Sequence, residues 1–136
     1  MNYTISSKKS DLQLDRIQLL LSQTYWAADR SKALIERSIA NSLCFGAYLE
    51  NGRQVAFARV ITDYVSAYYI CDVIVDSKYR GNGIGSALIQ TIVEQSCFES
   101  MRGFLVTRDA HGLYRKFGFE PDSERCMMRT PRKNTD

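Results

Sequence analysis

Histidine and closely spaced cysteines, which form most protein zinc sites, are scarce in this sequence of 136 residues. There is one histidine, and no C-x-x-C pair occurs among the cysteines, which are Cys44, Cys71, Cys97 and Cys126. Zinc sites need clustered ligands and disulfide-rich folds need paired cysteines. We therefore predict no metal site, and we expect buried free thiols.

Long hydrophobic runs and a strong charge bias are also missing. No apolar run approaches the roughly 18 residues that a membrane span needs, and the polar start Met1–Thr4 lacks the apolar block of a signal peptide. Eighteen basic and 15 acidic residues leave a net charge of +3, which is too small and too dispersed to indicate a nucleic-acid partner. The sequence predicts a soluble cytoplasmic protein with neither a membrane nor a nucleic-acid partner.

The length and composition favour one globular domain over residues 1–136. Hydrophobic residues make up 45% and charged residues 24% of the chain, which is enough apolar surface for a core at this length. No repeat or linker divides the sequence. The polar tail, residues 131–136, is expected to fray.

The first third of the chain predicts a short strand and two helices. The strand covers residues 3–5, Ser10 or Asp11 is expected to cap the first helix, and Ser31 to cap the second. Trp26 lies between the helices, where it can be either a packing anchor or a wall of a substrate pocket.

Two strands and a central strand follow. The runs 43–50 and 53–61 flank Asn51-Gly52, which is a strong signal for a β-hairpin. Residues 67–75 are rich in β-branched and aromatic side chains, which predicts a central strand buried on both faces. Asp72 is its one charged residue.

A glycine-dense turn follows this strand, and the rest of the chain is organised around it. Glycines alternate at 81, 83 and 85, where the backbone can reach positive φ and approach a ligand closely. The helix predicted over 84–96 adds unpaired N–H groups and a partial positive charge. This combination predicts a pyrophosphate site formed by Arg80, Gly81, Asn82, Gly83, Ile84, Gly85 and Ser86.

The remaining elements complete a strand–helix–strand unit. Residues 103–107 are predicted to form a strand parallel to 67–75, connected to it with a right-handed crossover. A short helix over 109–117, capped by Asp109 and ended by Gly118, follows. The run 125–129 predicts a last strand.

Neither of two common phosphate motifs occurs. The third glycine of G-x-G-x-x-G is missing, and there is no G-x-x-x-x-G-K-[ST]. Instead Arg80-x-x-Gly83-x-Gly85 resembles the R/Q-x-x-G-x-G/A motif of the GNAT acetyltransferase superfamily, and Tyr114-x-x-x-Gly118-Phe119 is similar to the family's late Tyr-x-x-x-Gly-Phe segment. Ser77, in place of a frequent proline, and Asp109-Ala110-His111, in place of a frequent asparagine, depart from that pattern.

The resemblance implies a mixed α/β (α+β) fold, in which about four helices flank a largely antiparallel sheet of six to seven strands. It also implies direct transfer of the acetyl group of acetyl-coenzyme A to a primary amine, and dimers are common in the family. Val73 and Val75 are expected to meet the pantetheine arm through their backbones, and residues 80–86 to hold the pyrophosphate. Tyr114 matches the family's general acid, although it could also be an aromatic packing residue.

The base and the acceptor are less defined. Asp72 is a candidate base because burial raises a carboxyl pKa, but it could instead pair with Arg59. The other candidates for the base are a chain of waters and the side chains of Asp63, Asp76, Asp109 and His111. Asp63, Asp72 and Glu124 could attract a cationic amine, with Trp26 and Tyr69 as walls. A small-molecule amine is favoured as acceptor; a protein lysine or N-terminus, and a coenzyme A-binding sensor without transfer, are the alternatives.

Overall fold

The computed structural model describes residues 1–132, in which five strands form one sheet in the order β1-β2-β3-β4-β5. The strands are β1 (Tyr3–Ser6), β2 (Leu43–Leu49), β3 (Gln54–Thr62), β4 (Ala67–Val75) and β5 (Arg102–Leu105). Neighbouring strands from β1 to β4 are antiparallel, and β5 is parallel to β4. The predicted mixed, largely antiparallel sheet is confirmed, but among residues 1–132 it has five strands rather than six to seven.

Helices cover both faces of the sheet. They are α1 (Leu14–Leu21), α2 (Lys32–Ala40), α3 (Ile84–Val93) and α4 (His111–Arg115). One apolar cluster joins α1 and α2 to one face through Ile17, Leu20 and Ile35. A second cluster buries Leu88 and Ile92 of α3 against the other face.

The two first helices begin differently. The hydroxyl of Ser31 accepts a hydrogen bond from the Leu34 N–H at 3.2 Å, so the predicted cap of α2 is confirmed. Ser10 and Asp11 do not cap α1, because they lie in a separate 3-10 turn. A residue distant in the sequence instead accepts a backbone hydrogen bond at the start of α1: the Gln13 N–H donates to Gln54 Oε1 at 2.9 Å.

The hairpin at Asn51-Gly52 is confirmed. Gly52 has φ +87°, and its N–H donates to the Leu49 carbonyl at 2.9 Å. The side chain of Asn51 accepts from the Arg53 N–H at 2.9 Å. This turn sets the register of β2 against β3, and β3 carries Arg59 toward the site described below.

Helix α4 ends at Arg115, and Gly118 stops the turn that follows it, as predicted. Gly118 has φ +88°, and the Phe119 N–H donates to the Tyr114 carbonyl at 3.3 Å, which is the 6→1 bond of a Schellman motif. The start of the helix differs from the prediction. Asp109 does not cap it; the Thr107 hydroxyl accepts from the Ala110 N–H at 3.0 Å instead.

The predicted last strand over 125–129 is wrong. Asp122 organises a turn there, in which its Oδ1 accepts from the Arg125 N–H at 3.0 Å. Met127 and Met128 are 97% and 70% exposed, so their side chains do not anchor this segment to the sheet. Of the predicted frayed tail, residues 133–136 lie outside the described residues. No helix within residues 1–132 has the length and hydropathy to cross a membrane.

Candidate active site

A β-bulge in β4 sets the geometry of the site. Phe57 of β3 pairs with Ile74 and Arg59 pairs with Cys71, so two residues of β4 stand opposite Ala58. One of the two is Asp72, with φ +52°. An extra residue in one strand shifts the alternation of side chains between the two faces.

The bulge therefore decides which face Asp72 joins. Before it, Ile70 packs in the α3 cluster; after it, Ile74 packs in the α1–α2 cluster. Regular alternation from Ile70 would have turned Asp72 toward the apolar α3 side. Buried side chains of β4 thus lie on both faces, whereas Tyr69 and Cys71 are only half-buried, so the prediction of a strand covered on both faces is confirmed in part.

Strands β4 and β5 separate beyond the first half of β4. Their pairing covers only 67–70 of β4. The Asp76 N–H donates to Val55 of β3 at 2.8 Å, and backbone groups of successive strand residues point to opposite edges. The N–H and C=O groups of Val73 and Val75 consequently face the open edge, where an extended ligand can pair with them.

The glycine turn lies at the end of this open edge. Gly81 and Gly83 have φ +84° and +78°, and Gly83 is the N-cap of α3. The first intrahelical bond of α3 is donated by Ala87, so the preceding N–H groups of the helix are available to an anion. A Cβ at Gly81 or Gly83 would meet no protein atom within 4 Å, so the space beside these two residues is open to a ligand.

Two side chains of the turn bond back to the protein. Arg80 Nε donates to the Val75 carbonyl at 3.2 Å while the residue lines the cleft. The Asn82 amide donates to the Tyr79 carbonyl at 3.0 Å, and Asn82 is not among the residues that line the cleft. The Asn82 side chain therefore stabilises the turn, and a ligand contact through its main chain stays a prediction.

The open edge and the glycine turn form one wall of a cleft of about 750 Å³. The structure brings most of the predicted site residues together around this cleft. They are Trp26, Tyr69, Asp72, Val73, Val75, Arg80, Gly81, Gly83, Ile84, Gly85, Ser86 and Tyr114. A pantetheine arm fits the unpaired edge and a pyrophosphate fits the glycine turn, so these residues are suited to coenzyme A.

Asp63 is an exception among the predicted acceptor contacts. It lies in the turn between β3 and β4, outside the cleft. Its carboxylate accepts hydrogen bonds from the Ser66 hydroxyl and from the Ser66 and Val65 N–H groups, and these bonds lower the pKa of Asp63. Asp63 therefore stabilises its own turn, and its assignment to the acceptor site is corrected.

Asp72 is the centre of a buried polar cluster, which we call the Asp72 cluster: Trp26, Arg30, Arg59 and Asp72. Its Oδ2 accepts from Arg30 Nη1 and from Arg59 Nε, each at 2.8 Å, and its Oδ1 accepts from Trp26 Nε1 at 3.0 Å. The Asp72 side chain is 3% exposed. Pairing of Asp72 with Arg59, one of the two alternatives considered above, is therefore observed.

The guanidinium groups remain cationic in this setting. Burial is the largest single influence on Arg59 and lowers its pKa, but the hydrogen bond to Asp72 and the charges of Asp72, Cys71 and Cys44 together outweigh burial and raise the pKa of Arg59. Two positive groups and one negative group leave a formal charge of +1 on the Asp72 cluster. That charge faces the cleft, because Arg30 and Arg59 both line it.

The acceptor end has aromatic walls as predicted, with one addition. Trp26 packs edge-to-face on Tyr25, with ring centroids 4.9 Å apart, and Tyr25 also lines the cleft. The Arg108 guanidinium lies over the Tyr25 ring at 3.6 Å, which is a cation–π contact. Trp26 is thus both a cleft wall and a hydrogen-bond donor that orients Asp72.

Tyr114 lies across the cleft from β4, on α4. Burial, and then the charge of Asp109, raise the pKa of Tyr114 to about 12, so its hydroxyl stays protonated near neutral pH. Its ring packs edge-to-face on Phe119 at 6.1 Å, so it makes the packing contact that was the alternative to an acid role. The hydroxyl is nevertheless able to donate a proton into the cleft.

Sequence reasoning missed Tyr25 and Arg30 as lining residues, whereas Asp109 was among the candidate bases and does line the cleft. Arg30 lies on the connection between α1 and α2, 42 residues before its partner Asp72. An isolated carboxylate in an apolar strand does indicate that a cationic partner exists. Nothing local to Arg30 distinguishes it from the other arginines of the chain.

Within residues 1–132, no three metal-binding side chains cluster.

The fold and this cleft are those expected of an acyltransferase. The sequence model described as "Acetyltransferase (GNAT) domain" matches residues 40–121, which is more than half of the chain. The chain belongs to the GNAT acetyltransferase family.

Individual relatives agree with this assignment. The crystal structure of a GNAT-family protein from Xanthomonas campestris superposes with a TM-score of 0.89 at 41% identity, covering 96% of this chain and 94% of that one. A Gibberella zeae protein named as an acetyltransferase is 29% identical over 136 residues, covering 85% of this chain and 77% of its own. The histone acetyltransferase TAP1 of Glycine max is 32% identical over 77 residues, and the chain spans 33% of its length.

Proposed function

We propose that this protein transfers the acetyl group of acetyl-coenzyme A directly to the primary amine of a small molecule. The observation that carries the proposal is the unpaired edge of β4, which runs from the Asp72 cluster to the glycine turn. Bound there, acetyl-coenzyme A would supply an activated thioester carbonyl. The glycine turn and the first turn of α3 would hold its phosphates, and the backbones of Val73 and Val75 would hold its pantetheine arm.

The bulge supports a second role for the backbone of β4. Transfer of an acyl group builds negative charge on the carbonyl oxygen, and a fixed N–H donor stabilises that charge. The N–H of Val73 follows the bulge and faces the open edge. We assign it the stabilisation of this oxygen.

Tyr114 is suited to protonate the leaving thiolate. Its pKa near 12 keeps the phenol protonated at neutral pH, and positioned acids of this kind contribute about 10²–10⁴-fold to a rate. The hydroxyl makes no hydrogen bond to another residue of the described chain, so it is free to act on a ligand.

Removing a proton from the acceptor is a larger requirement. An alkylamine of pKa about 10.4 is neutral in only about one molecule in 2,500 at pH 7, a handicap of roughly 4.6 kcal/mol. We propose that Asp72 positions the arginines rather than accepting this proton, because three donors already occupy its two oxygens. The amine then loses its proton to water at the open mouth of the cleft, and kcat/KM should rise with pH until the pKa of the acceptor.

A small acceptor is favoured over a protein because the end of the cleft beside the Asp72 cluster, where we place the acceptor, has a wall on one side. Trp26, Tyr25 and the buried Asp72 cluster wall it on the side of the α1–α2 connection. A protein lysine or N-terminus, as acetylated by a histone acetyltransferase, would need an open groove for the flanking chain. Assembly of two copies into a homodimer stays a prediction.

The experiment mixes the protein with acetyl-coenzyme A and a panel of primary amines, and measures free thiol released per unit time. Release that depends on the amine, with an acetylated product of matching mass, is the expected result. Tight binding of acetyl-coenzyme A with no release across the panel would contradict the proposal and favour a coenzyme A-binding sensor. A panel that includes lysine peptides separates small-molecule from protein acceptors.

A further inference from the structure

The Asp72 cluster has unused hydrogen-bond donors that face the cleft. Arg30 uses only Nη1, and Arg59 uses Nε for Asp72 and Nη1 for the Ser42 hydroxyl at 3.0 Å. Within residues 1–132, only one fully buried polar side-chain atom lacks a hydrogen-bond partner, and it is the Tyr48 hydroxyl rather than a nitrogen of Arg30 or Arg59. The remaining nitrogens of Arg30 and Arg59 are therefore accessible to solvent, and both residues line the cleft, although Arg30 also borders a second surface pocket beside α1.

The positive charge of the Asp72 cluster is only partly neutralised. Asp72 neutralises one of the two guanidinium groups and leaves a formal charge of +1. The Arg30 and Arg59 side chains are only 16% and 13% exposed, and a charge in such a partly desolvated position attracts a counter-charge more strongly than one in bulk water. A guanidinium group binds a planar carboxylate through two parallel hydrogen bonds.

One anionic group lies on the other wall of the cleft. Asp109 lines that wall beside Tyr114, whose pKa it raises, while its chain neighbour Arg108 lies over the Tyr25 ring. The cationic groups of Arg30 and Arg59 and the anionic group of Asp109 suit a ligand with one charge of each sign. A doubly charged phosphate would exceed the +1 of the Asp72 cluster, whereas a carboxylate matches it.

We propose that the acceptor is an amino acid-type molecule, which carries one carboxylate besides its primary amine, and that Arg30 and Arg59 bind this carboxylate. This inference rests on the proposed function, since it names the substrate class of the same transfer. It assigns the arginines to acceptor specificity and Asp72 to their positioning. Lysine side chains within a protein lack an adjacent carboxylate and would be poor acceptors.

The first test compares matched acceptors in the thiol-release measurement: β-alanine, β-alaninamide and 2-aminoethylphosphonate. Removing the carboxylate charge lowers the pKa of the amine, which by itself favours the amide. A kcat/KM at least tenfold higher for β-alanine than for its amide is the expected result. Equal values, or a phosphonate preferred over β-alanine, would overturn the assignment of a carboxylate.

The second test changes the protein. Arg30→Gln leaves Asp72 bonded to Arg59 and Trp26, so the fold should persist, which circular dichroism can verify. We expect KM for β-alanine to rise at least tenfold, KM for acetyl-coenzyme A to stay the same, and Arg30→Lys to recover part of the loss. Arg37→Gln, which removes the same charge from an exposed position on α2, is the matched control and should behave like the wild type.

A third test needs no turnover. Trp26 is the sole tryptophan and touches Asp72, so its fluorescence should report binding of N-acetyl-β-alanine but not of N-acetyl-β-alaninamide, and Arg30→Gln should abolish the response. The same response to both compounds, or to neither, contradicts the inference. Carboxylate binding without any amine-dependent thiol release would reject the proposed function alone, whereas transfer without carboxylate preference would reject the inference alone.

Discussion

The two ends of the cleft are built in different ways, although each contains a residue with positive φ. At the coenzyme A end, consecutive residues 80–86 present their main chain to the ligand, and Gly83 reaches φ +78°. At the acceptor end, side chains from three separate segments converge, and Asp72 holds φ +52°. Glycine adopts such a conformation at no steric cost, whereas an aspartate there is strained by about 1–2 kcal/mol.

The difference indicates what each end can tolerate. The coenzyme A end depends on the absence of side-chain atoms, so an added Cβ should impair it while most polar substitutions should not. The acceptor end depends on the fit of specific charges, since three hydrogen bonds to Asp72 offset its backbone strain. Loss of one member of that cluster should therefore affect stability as well as specificity.

Asp72→Ala should produce the largest effect, at the acceptor end. It would leave two buried guanidinium groups without their counter-charge, and removing one partner of a buried pair typically costs about 3–5 kcal/mol. Urea unfolding would measure the loss. Asp72→Asn, which tolerates the positive φ, should lose less than Asp72→Ala.

The matched control for Asp72→Ala is an exposed ion pair. Asp15 bonds to Lys32 on the surface, where the Asp15 side chain is 86% exposed. Asp15→Ala should leave the unfolding midpoint unchanged, because solvent screens such pairs. Equal midpoints for Asp72→Ala and Asp15→Ala would show that the Asp72 cluster does not stabilise the fold.

Tyr114→Phe tests the proposed proton donor to the leaving thiolate, between the two ends of the cleft. Turnover should fall by about 100-fold because the proton donor is lost, while the affinity for acetyl-coenzyme A should hold in calorimetry. The pKa of Tyr114 near 12 also means that this hydroxyl stays protonated up to about pH 10. Tyr64→Phe, in the turn between β3 and β4, is the control; unchanged turnover in Tyr114→Phe would remove Tyr114 from the mechanism.

Gly83→Ala tests the coenzyme A end against a glycine of the same conformation elsewhere. Gly83 and Gly52 have φ +78° and +87°, and neither has a protein atom within 4 Å of an added Cβ. Both alanine variants should lose about 1–2 kcal/mol of unfolding free energy. Calorimetry should show acetyl-coenzyme A binding weakened about tenfold in Gly83→Ala alone; equal affinities would separate the glycine turn from ligand binding.

The last expected effect is a pH dependence that arises at the acceptor end. Cys44 and Cys71 pair with Arg59 from its two sides, and burial raises the pKa of each thiol from 9.0 to about 11. The unfolded chain therefore releases these protons first. The stability that the two thiols contribute is fully present below pH 9 and declines as pH rises toward 11.

Urea unfolding at pH 8 and pH 10 would measure this decline. Cys71→Ala should reduce it, whereas Cys97→Ala should not, because Cys97 is exposed. No residue from 81 to 86 has an ionisable side chain, so the glycine turn adds nothing to this dependence. A decline that is the same in both variants would mean that other groups are responsible.

Most predictions that rest on neighbouring residues were confirmed, although Asp109 does not cap α4. The hairpin at Asn51-Gly52, the cap at Ser31 and the helix end at Gly118 each depend on a few consecutive residues whose φ or side-chain oxygen suits one local conformation. Of the predictions that concern distant partners, the parallel pairing of β4 with β5 was confirmed and two others failed. The strand over 125–129 finds no neighbouring strand within residues 1–132, and α1 begins against Gln54 rather than at a local cap.

The sequence by itself determined the donor half of this protein. Arg80, Gly83 and Gly85 follow one another, so their spacing alone specifies a turn with open backbone N–H groups in front of a helix. Only the tertiary structure decided the acceptor half. A bulge opposite Ala58 turns Asp72 toward Arg30 and Arg59, and that meeting of charges depends on strand register and on packing between segments far apart in the chain.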